Sequence, residues 1–433
     1  MKYQAYSLHN YLEIPQIKDL PEIVKKEIEV VGNVLPFKTN NYVVNELIDW
    51  DNFQDDPMFI LTFPQRGMLS DEDFQTMEET INSGAGSAEI KKVANKIRLR
   101  LNPHPAGQLE HNVPELNGNK LMGLQHKYDE TILFFPSQGQ TCHAYCTFCF
   151  RWPQFVGLGD YKFAMKQGED MVSYLKKHPE VTDVLFTGGD PMFMKASLFR
   201  QYIDLLLNAD LPNLVNIRIG TKSLAFWPYR FLTDNDALDM LRTFRRIVDS
   251  GKNLAFMAHF NHHSELHTSA VRGAVERIQR TGAIIRTQSP VLQHINDNSD
   301  VWRQMWADQV EMGMVPYYMF MARDTGARDY FAVSIVRAWE IFRGAYSHIS
   351  GISRTVRGPS MSANPGKVSV LGVSEVKGEK VIMLRFIQGR KTDWVGRPFF
   401  ASYNENALWL DELEPAFGDE KFFFEKELRI MQE

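Results

Sequence analysis

Cys142, Cys146 and Cys149 are the only three cysteines in the 433-residue chain. They share one short window, Cys142-His143-Ala144-Tyr145-Cys146-Thr147-Phe148-Cys149. Three thiolates four and three positions apart can hold one face of a small iron-sulfur cluster, and no fourth cysteine exists to close it. One iron is then left open. Such a corner is useful when the metal must bind a small molecule and pass it an electron, much as catalytic zinc sites keep a vacant position. The same thiols could instead bind zinc or lie inert in a core. No thiol is spare for a structural disulfide, and ligands that must stay reduced suit a reducing compartment.

Elements that could position this loop follow from periodicity. Apolar, β-rich runs fall at Thr131 to Phe135, Asp183 to Thr187, Leu214 to Gly220, Leu254 to His259, Ile284 to Ser289 and Val315 to Met321. Amphipathic helical patterns lie between them at Gly168 to His178, Ser197 to Asn208, Asp236 to Ser250, Glu265 to Thr281 and Asp300 to Met312. Six strand-helix repeats predict an α/β fold with a parallel sheet, a partial (βα)6 barrel rather than a closed eight-stranded one. Polar and glycine-rich residues gather where the strands end. They are the cysteine loop, Thr187-Gly188-Gly189-Asp190-Pro191, Gly220-Thr221-Lys222, His259-Phe260-Asn261-His262-His263, Gln288-Ser289 and Arg323-Asp324. Ligands collect at the carboxyl ends of parallel strands, so these residues together describe a site.

The barrel is expected over 121–345. Residues 1–120 read as a helical N-terminal region, interrupted at Asn82-Ser83-Gly84-Ala85-Gly86-Ser87 and at the turn-rich Asn102-Pro103-His104-Pro105-Ala106-Gly107. Residues 346–433 read as a small extension containing alternating runs such as Lys380 to Phe386. With 44% apolar and 23% charged residues the chain can bury a substantial core. A net charge of −5 gives no reason to expect nucleic-acid binding. The first residues lack an apolar targeting segment and no run is long enough to cross a bilayer, so a cytoplasmic location is expected.

The spacing of the cysteines, with Phe148 before the last, resembles the radical S-adenosylmethionine (SAM) superfamily. Within it the chain resembles the lysine 2,3-aminomutase family from roughly Tyr42 to Lys367. The resemblance is carried in order by Leu47-Ile48-Asp49-Trp50-Asp51, Asp55-Asp56-Pro57 and Gly123-Leu124-Gln125-His126-Lys127-Tyr128. The cysteine loop with Arg151, Gly188-Gly189-Asp190-Pro191, Arg218-Ile219-Gly220-Thr221 and His259-Phe260-Asn261-His262 follow. Gln288-Ser289, Pro316-Tyr317-Tyr318 and Pro365-Gly366-Lys367 complete it. The resemblance implies a [4Fe-4S] cluster held by the three cysteines, with SAM on the open iron. It also implies pyridoxal 5′-phosphate (PLP) held by Lys367, and a reaction that moves an amino group between the α and β carbons of an amino acid.

In that scheme Phe148, Gly188, Gly189, Asp190, His259 and Gln288 surround SAM. The glycines admit its amino group, Asp190 fixes that amine or the turn itself, and His259 and Gln288 hydrogen-bond the adenosyl part. Arg151 pairs with the substrate α-carboxylate, and Arg218 is the candidate for the PLP phosphate, because Thr131 stands where the family carries an arginine. The loop before Lys367 is shortened to Asn364-Pro365-Gly366.

Lysine-specific members present two aspartates to the distal ammonium. Here those positions hold Arg323, with Asp324 beside it, and Ala363, with Asn364 beside it. This exchange favours an acidic, glutamate-like substrate over lysine; were Asp324 the inward residue, an amine-bearing substrate would return. The family's additional C-terminal cysteines for zinc are missing. A flavodoxin or ferredoxin is expected as electron donor, a homo-oligomer is possible, and neither nucleic acid nor membrane is expected as a partner. The other readings are a PLP-independent radical SAM enzyme acting on a different small molecule, and a non-catalytic iron-sulfur electron carrier. The pair His262-His263 with Glu265 reads as a helix start rather than a metal site, and Phe422-Phe423-Phe424 as packing or an interface.

Overall fold

The computed structural model describes residues 1–103, 112–157, 163–166 and 168–431. The expected turn at His104-Pro105-Ala106-Gly107 lies outside them. The chain forms two compact units. The first comprises Met1–His259, Ser264–Ile285 and Arg323–Phe331; the second comprises Phe260–His263, Arg286–Ala322 and Ala332–Glu433.

In the first unit β1 (Ala5–Ser7) pairs antiparallel with β2 (Lys38–Asn40), and β3 (Glu115–Leu116) with β4 (Asn119–Lys120). β5 (Leu124–Tyr128) runs antiparallel to β6 (Thr131–Phe134). From β6 onward the pairing is parallel through β7 (Asp183–Phe186), β8 (Asn216–Thr221) and β9 (Asn253–His259). On β8, buried Ile217, Ile219 and Thr221 alternate with the half-buried Asn216, Arg218 and Gly220, so one face is dry and the other stays accessible.

Helices cover the dry face because their apolar residues recur every three or four positions. In Ala237–Asp249 these are Ala237, Met240, Phe244 and Ile247. Phe244 meets Phe256 of β9 edge-on at 5.0 Å between ring centres. The expected helix from Glu265 is divided. His263–Leu266 forms a short 3₁₀ turn, and the α-helix begins at Ser269, where the Thr268 hydroxyl accepts the Val271 N–H at 3.2 Å.

The second unit contains Arg286 onward of β10 (Ile284–Pro290), parallel to β11 (Val315–Phe320). All six strands read from the sequence are therefore present, and the α/β class is the expected one. The structure adds β12 (Arg357–Ser362), parallel to β11. Its Gly358-Pro359 pair hides it from a periodicity reading. Gly358 has φ +156°, and a Cβ there would meet the Met319 carbonyl oxygen at 2.4 Å. β13 (Gly366–Val376), β14 (Glu379–Gly389) and β15 (Pro398–Ser402) then continue antiparallel.

The phenylalanine run near the C-terminus packs: Phe424 lies 5.1 Å from Phe386 and 5.5 Å from Phe399. No helix among the described residues is long and apolar enough to cross a membrane.

Candidate active site

The cysteine loop leaves the carboxyl end of β6 and is stitched to the N-terminal region of the first unit. Tyr145 N–H donates to the Lys38 carbonyl at 2.7 Å, and Thr147 N–H to the Leu61 carbonyl at 3.0 Å. The Thr147 hydroxyl donates to Ile60 at 2.8 Å, and Tyr3 and Asn40 both donate to the His143 carbonyl, at 2.7 and 3.1 Å. Lys38 Nζ donates to the Cys142 carbonyl at 2.7 Å. Sequence reasoning missed these partners, because nothing local marks Lys38, Asn40 or Leu61 as neighbours of a loop a hundred residues away.

This stitching holds the three half-buried thiols close enough to act on one another's ionisation. Burial pushes Cys142, Cys146 and Cys149 above the ordinary thiol range, and for Cys142 the charges of Asp190, Cys149 and Cys146 add to the rise. Thiols in that state call for a cationic metal centre to hold them as thiolates, so the donor set fits a cluster with one open iron.

The glycine turn after β7 presses directly on this loop. A Cβ on Gly189 would meet Thr141 N at 2.5 Å, and one on Gly188, whose φ is +130°, would meet Gln140 Nε2 at 2.3 Å. Glycine is therefore required by the loop's own backbone and by Gln140. Asp190 N–H seals the contact by donating to the Thr141 carbonyl at 2.8 Å. The buried Asp190 carboxylate accepts from the Thr221 hydroxyl (2.7 Å) and from Met192 N–H, Lys222 N–H and the Ser223 hydroxyl, each at 2.9 Å. Its oxygens thus tie the ends of β7 and β8 together.

Phe148 and His259, both expected beside SAM, meet edge-on at 5.7 Å. Burial drives His259 well below the ordinary imidazole range, with the Lys222 charge acting in the same direction. Lys222 Nζ reaches Glu265 Oε1 at 2.6 Å in a pair whose carboxylate is fully buried. Glu265 is thus engaged by Lys222.

Arg151 and Arg323 converge. Arg323 stands 5.4 Å over the Phe150 ring, and Arg151 stands 5.0 Å over the same ring and 4.4 Å over Phe135. The alignment is enforced from outside: Trp152 Nε1 donates to the Thr325 hydroxyl at 3.0 Å, and Gly326 N–H to the Leu101 carbonyl at 2.8 Å. Burial pushes Arg151 down to about 10, Cys149 opposes that fall, and Arg323 adds to it. Arg323 is also lowered, first by burial, with Asp324 and Tyr128 opposing. The Arg151 guanidinium has no carboxylate partner among the described residues.

Arg218 does not join them. Its Nε pairs with Asp183 at 2.8 Å, and Asp183 is the first residue of β7, the end remote from the cysteine loop. The expectation that Arg218 holds a cofactor phosphate gives way to this ion pair.

In the second unit Lys367 is the second residue of β13, in register with Ser362 of β12 and Gln388 of β14. A Cβ on Gly366 would meet the Gln388 carbonyl oxygen at 2.3 Å, so the short turn before Lys367 demands glycine. Lys367 Nζ stands 4.2 Å over the Tyr318 ring and 5.6 Å over Phe320, and those rings stack at 4.8 Å. Gln288 is the ladder neighbour of Tyr318. A strand-fixed amine above an aromatic shelf fits a lysine that holds an aromatic aldehyde cofactor. Asn364 is braced by Arg390, whose Nε donates to its carbonyl at 2.9 Å, and Ala363 is buried.

A three-thiol loop after the first parallel strand, sealed by a glycine pair after the second, is the arrangement implied by the resemblance to radical SAM enzymes. No protein-family model matches it. It is a divergent relative of the L-lysine 2,3-aminomutases. It is 29% identical over 401 residues to a putative L-lysine 2,3-aminomutase of Aquifex aeolicus, covering 93% of this chain and 94% of that one. Against the L-lysine 2,3-aminomutase of Clostridium subterminale the identity is 25% over 299 residues, 69% of this chain and 68% of the other. Against that of Methanococcus maripaludis it is 22% over 410 residues, 94% and 82%. A solved structure described as native anSMEcpe with bound AdoMet aligns at 13% identity with a TM-score of 0.37, covering 50% of this chain and 59% of that one, a likeness too slight to bear on the fold.

Proposed function

We propose that this chain is a radical SAM, PLP-dependent 2,3-aminomutase whose substrate is an acidic, glutamate-like α-amino acid. The observation that carries the substrate class is the pair of guanidiniums, Arg151 and Arg323, sharing the Phe150 ring beside the cysteine thiols. Two cations brought together at a cost in mutual repulsion suit a ligand with two carboxylates, one for each fork. The same pair would repel a lysine side chain.

When bound, the cluster with SAM would supply radical hydrogen-abstraction chemistry, and PLP would supply a conjugated ring suited to an amino-group shift between the α and β carbons. The chain's residues do the holding. Cys142, Cys146 and Cys149 would hold the cluster, while Phe148 and His259 would line the SAM side. Gln288 and Lys367 belong to the second unit, Lys367 as the amine that would retain the cofactor. Arg151 takes the α-carboxylate and Arg323 the distal one, with Asp324 opposing desolvation of Arg323.

A PLP-independent hydrogen abstraction is the second reading, favoured by the engagement of Arg218 with Asp183. Anaerobic protein loaded with iron, SAM, PLP and reductant should convert glutamate to its β-amino isomer and leave lysine unchanged. Lysine turnover with no glutamate turnover overturns the substrate class. Full activity of Lys367→Ala overturns the PLP role. In Arg323→Ala, KM for glutamate should rise about tenfold or more, the worth of a hydrogen bond to a charged group.

A further inference from the structure

With Arg218 bound to Asp183 and Thr131 on the first strand, the residues singled out from the sequence leave the cofactor phosphate without a holder. We propose that Arg286 and Arg357, on either side of Tyr317, form the phosphate-binding site for the cofactor retained by Lys367; this rests on the reading that the chain uses PLP.

The three residues lie on adjacent strands: Arg286 on β10, Tyr317 on β11 and Arg357 on β12. Each guanidinium stands 5.0 Å from the centre of the Tyr317 ring. Arg286 is half-buried and Arg357 exposed, and neither has a carboxylate partner among the described residues. Two guanidiniums converging on one ring, with no carboxylate partner among the described residues, provide forks that match a phosphate dianion.

The site is also joined to the lysine. Arg357 lies 5.9 Å from the Tyr318 ring, the same ring that carries Lys367 Nζ at 4.2 Å. The phenol of Tyr318 is pushed up to about 12, by burial first and by Tyr317, while Arg357 opposes the rise. One tyrosine therefore stands between an amine suited to the cofactor's aldehyde and a guanidinium suited to its phosphate. Among the described residues, the aspartate that pairs with Arg218 has no counterpart at Arg286 or Arg357.

The experiment is equilibrium binding of PLP, and separately of pyridoxal, to the iron-loaded protein, followed by the absorbance of the lysine-bound form. Wild type, Arg286→Ala, Arg357→Ala and the double variant are compared, with Arg→Lys variants at both positions. Each alanine variant should bind PLP about tenfold or more weakly. Pyridoxal affinity should stay unchanged, and inorganic phosphate should compete with PLP in wild type but not in the double alanine variant. The lysine variants keep the charge and should lose less, which preserves the test if an alanine variant fails to fold. If wild type binds PLP and every variant binds it equally well, the phosphate site is wrong and the PLP reading stands. If wild type shows no lysine-bound band and borohydride leaves no label on Lys367, the PLP reading fails and takes the phosphate site with it.

Discussion

Three cations act on the cysteine thiols, and they differ in what balances them. Lys222 is matched by Glu265. Arg151 has no carboxylate partner among the described residues and is the candidate for the substrate's. Lys38 is bound to the Cys142 carbonyl at 2.7 Å and lies 3.5 Å from the Thr141 hydroxyl, with no carboxylate partner among the described residues. A cluster that accepts an electron gains negative charge, so the Lys38 ammonium should favour the reduced form. Replacing it with methionine should lower the ratio of reduced to oxidised cluster about tenfold at a fixed solution potential, equal to about 59 mV for one electron. A redox titration followed by electron paramagnetic resonance reads this directly, and Lys38→Arg should retain the wild-type midpoint. An unchanged midpoint in Lys38→Met would leave Lys38 a purely structural role.

At the scale of elements, the boundaries of helices and strands are set by single side chains that reach beyond them. Thr268 starts the helix Ser269–Gln279 by accepting from Val271 N–H, and its hydroxyl also lies 2.8 Å from the Tyr42 hydroxyl. Removing both contacts in Thr268→Ala should cost about 1–2 kcal/mol, measured by chemical denaturation, with Thr268→Ser retaining most of the stability. The glycine turn after β7 is held to a tighter tolerance. A methyl group at residue 189 would meet the backbone of Thr141, so Gly189→Ala should reduce the iron retained after reconstitution while helix content stays near wild type. Iron loading equal to wild type in that variant would mean that the cysteine loop shifts freely, against the hydrogen bonds that stitch it.

At the scale of the whole molecule, the cysteine loop is held by protein contacts as well as by its thiols, unlike the loops of a small zinc domain. The cysteine loop has protein partners on both flanks, from Lys38, Ile60 and Leu61 to the turn at Asp190. Cys142→Ala should therefore lose iron and SAM cleavage yet keep its far-ultraviolet circular dichroism and a cooperative thermal transition. Collapse of that transition would show the cluster to be a folding element.

The sequence by itself determined the cysteine loop, the six strands and the order of polar residues at their ends. Each is encoded over a few neighbouring residues: spacing for the thiols, alternating burial for Ile217 and Ile219, helical periodicity for Met240 and Phe244. β12 escaped because Gly358 and Pro359 spoil the pattern, and only its neighbour β11 makes an extended backbone favourable there. Tertiary structure alone decided that Arg218 is spent on Asp183, that Arg151 and Arg323 share a phenylalanine, and that Lys38 and Asn40 fasten a loop about a hundred residues distant. Charge pairing and close approach depend on distance in space, and the sequence order of these residues carries no trace of that distance.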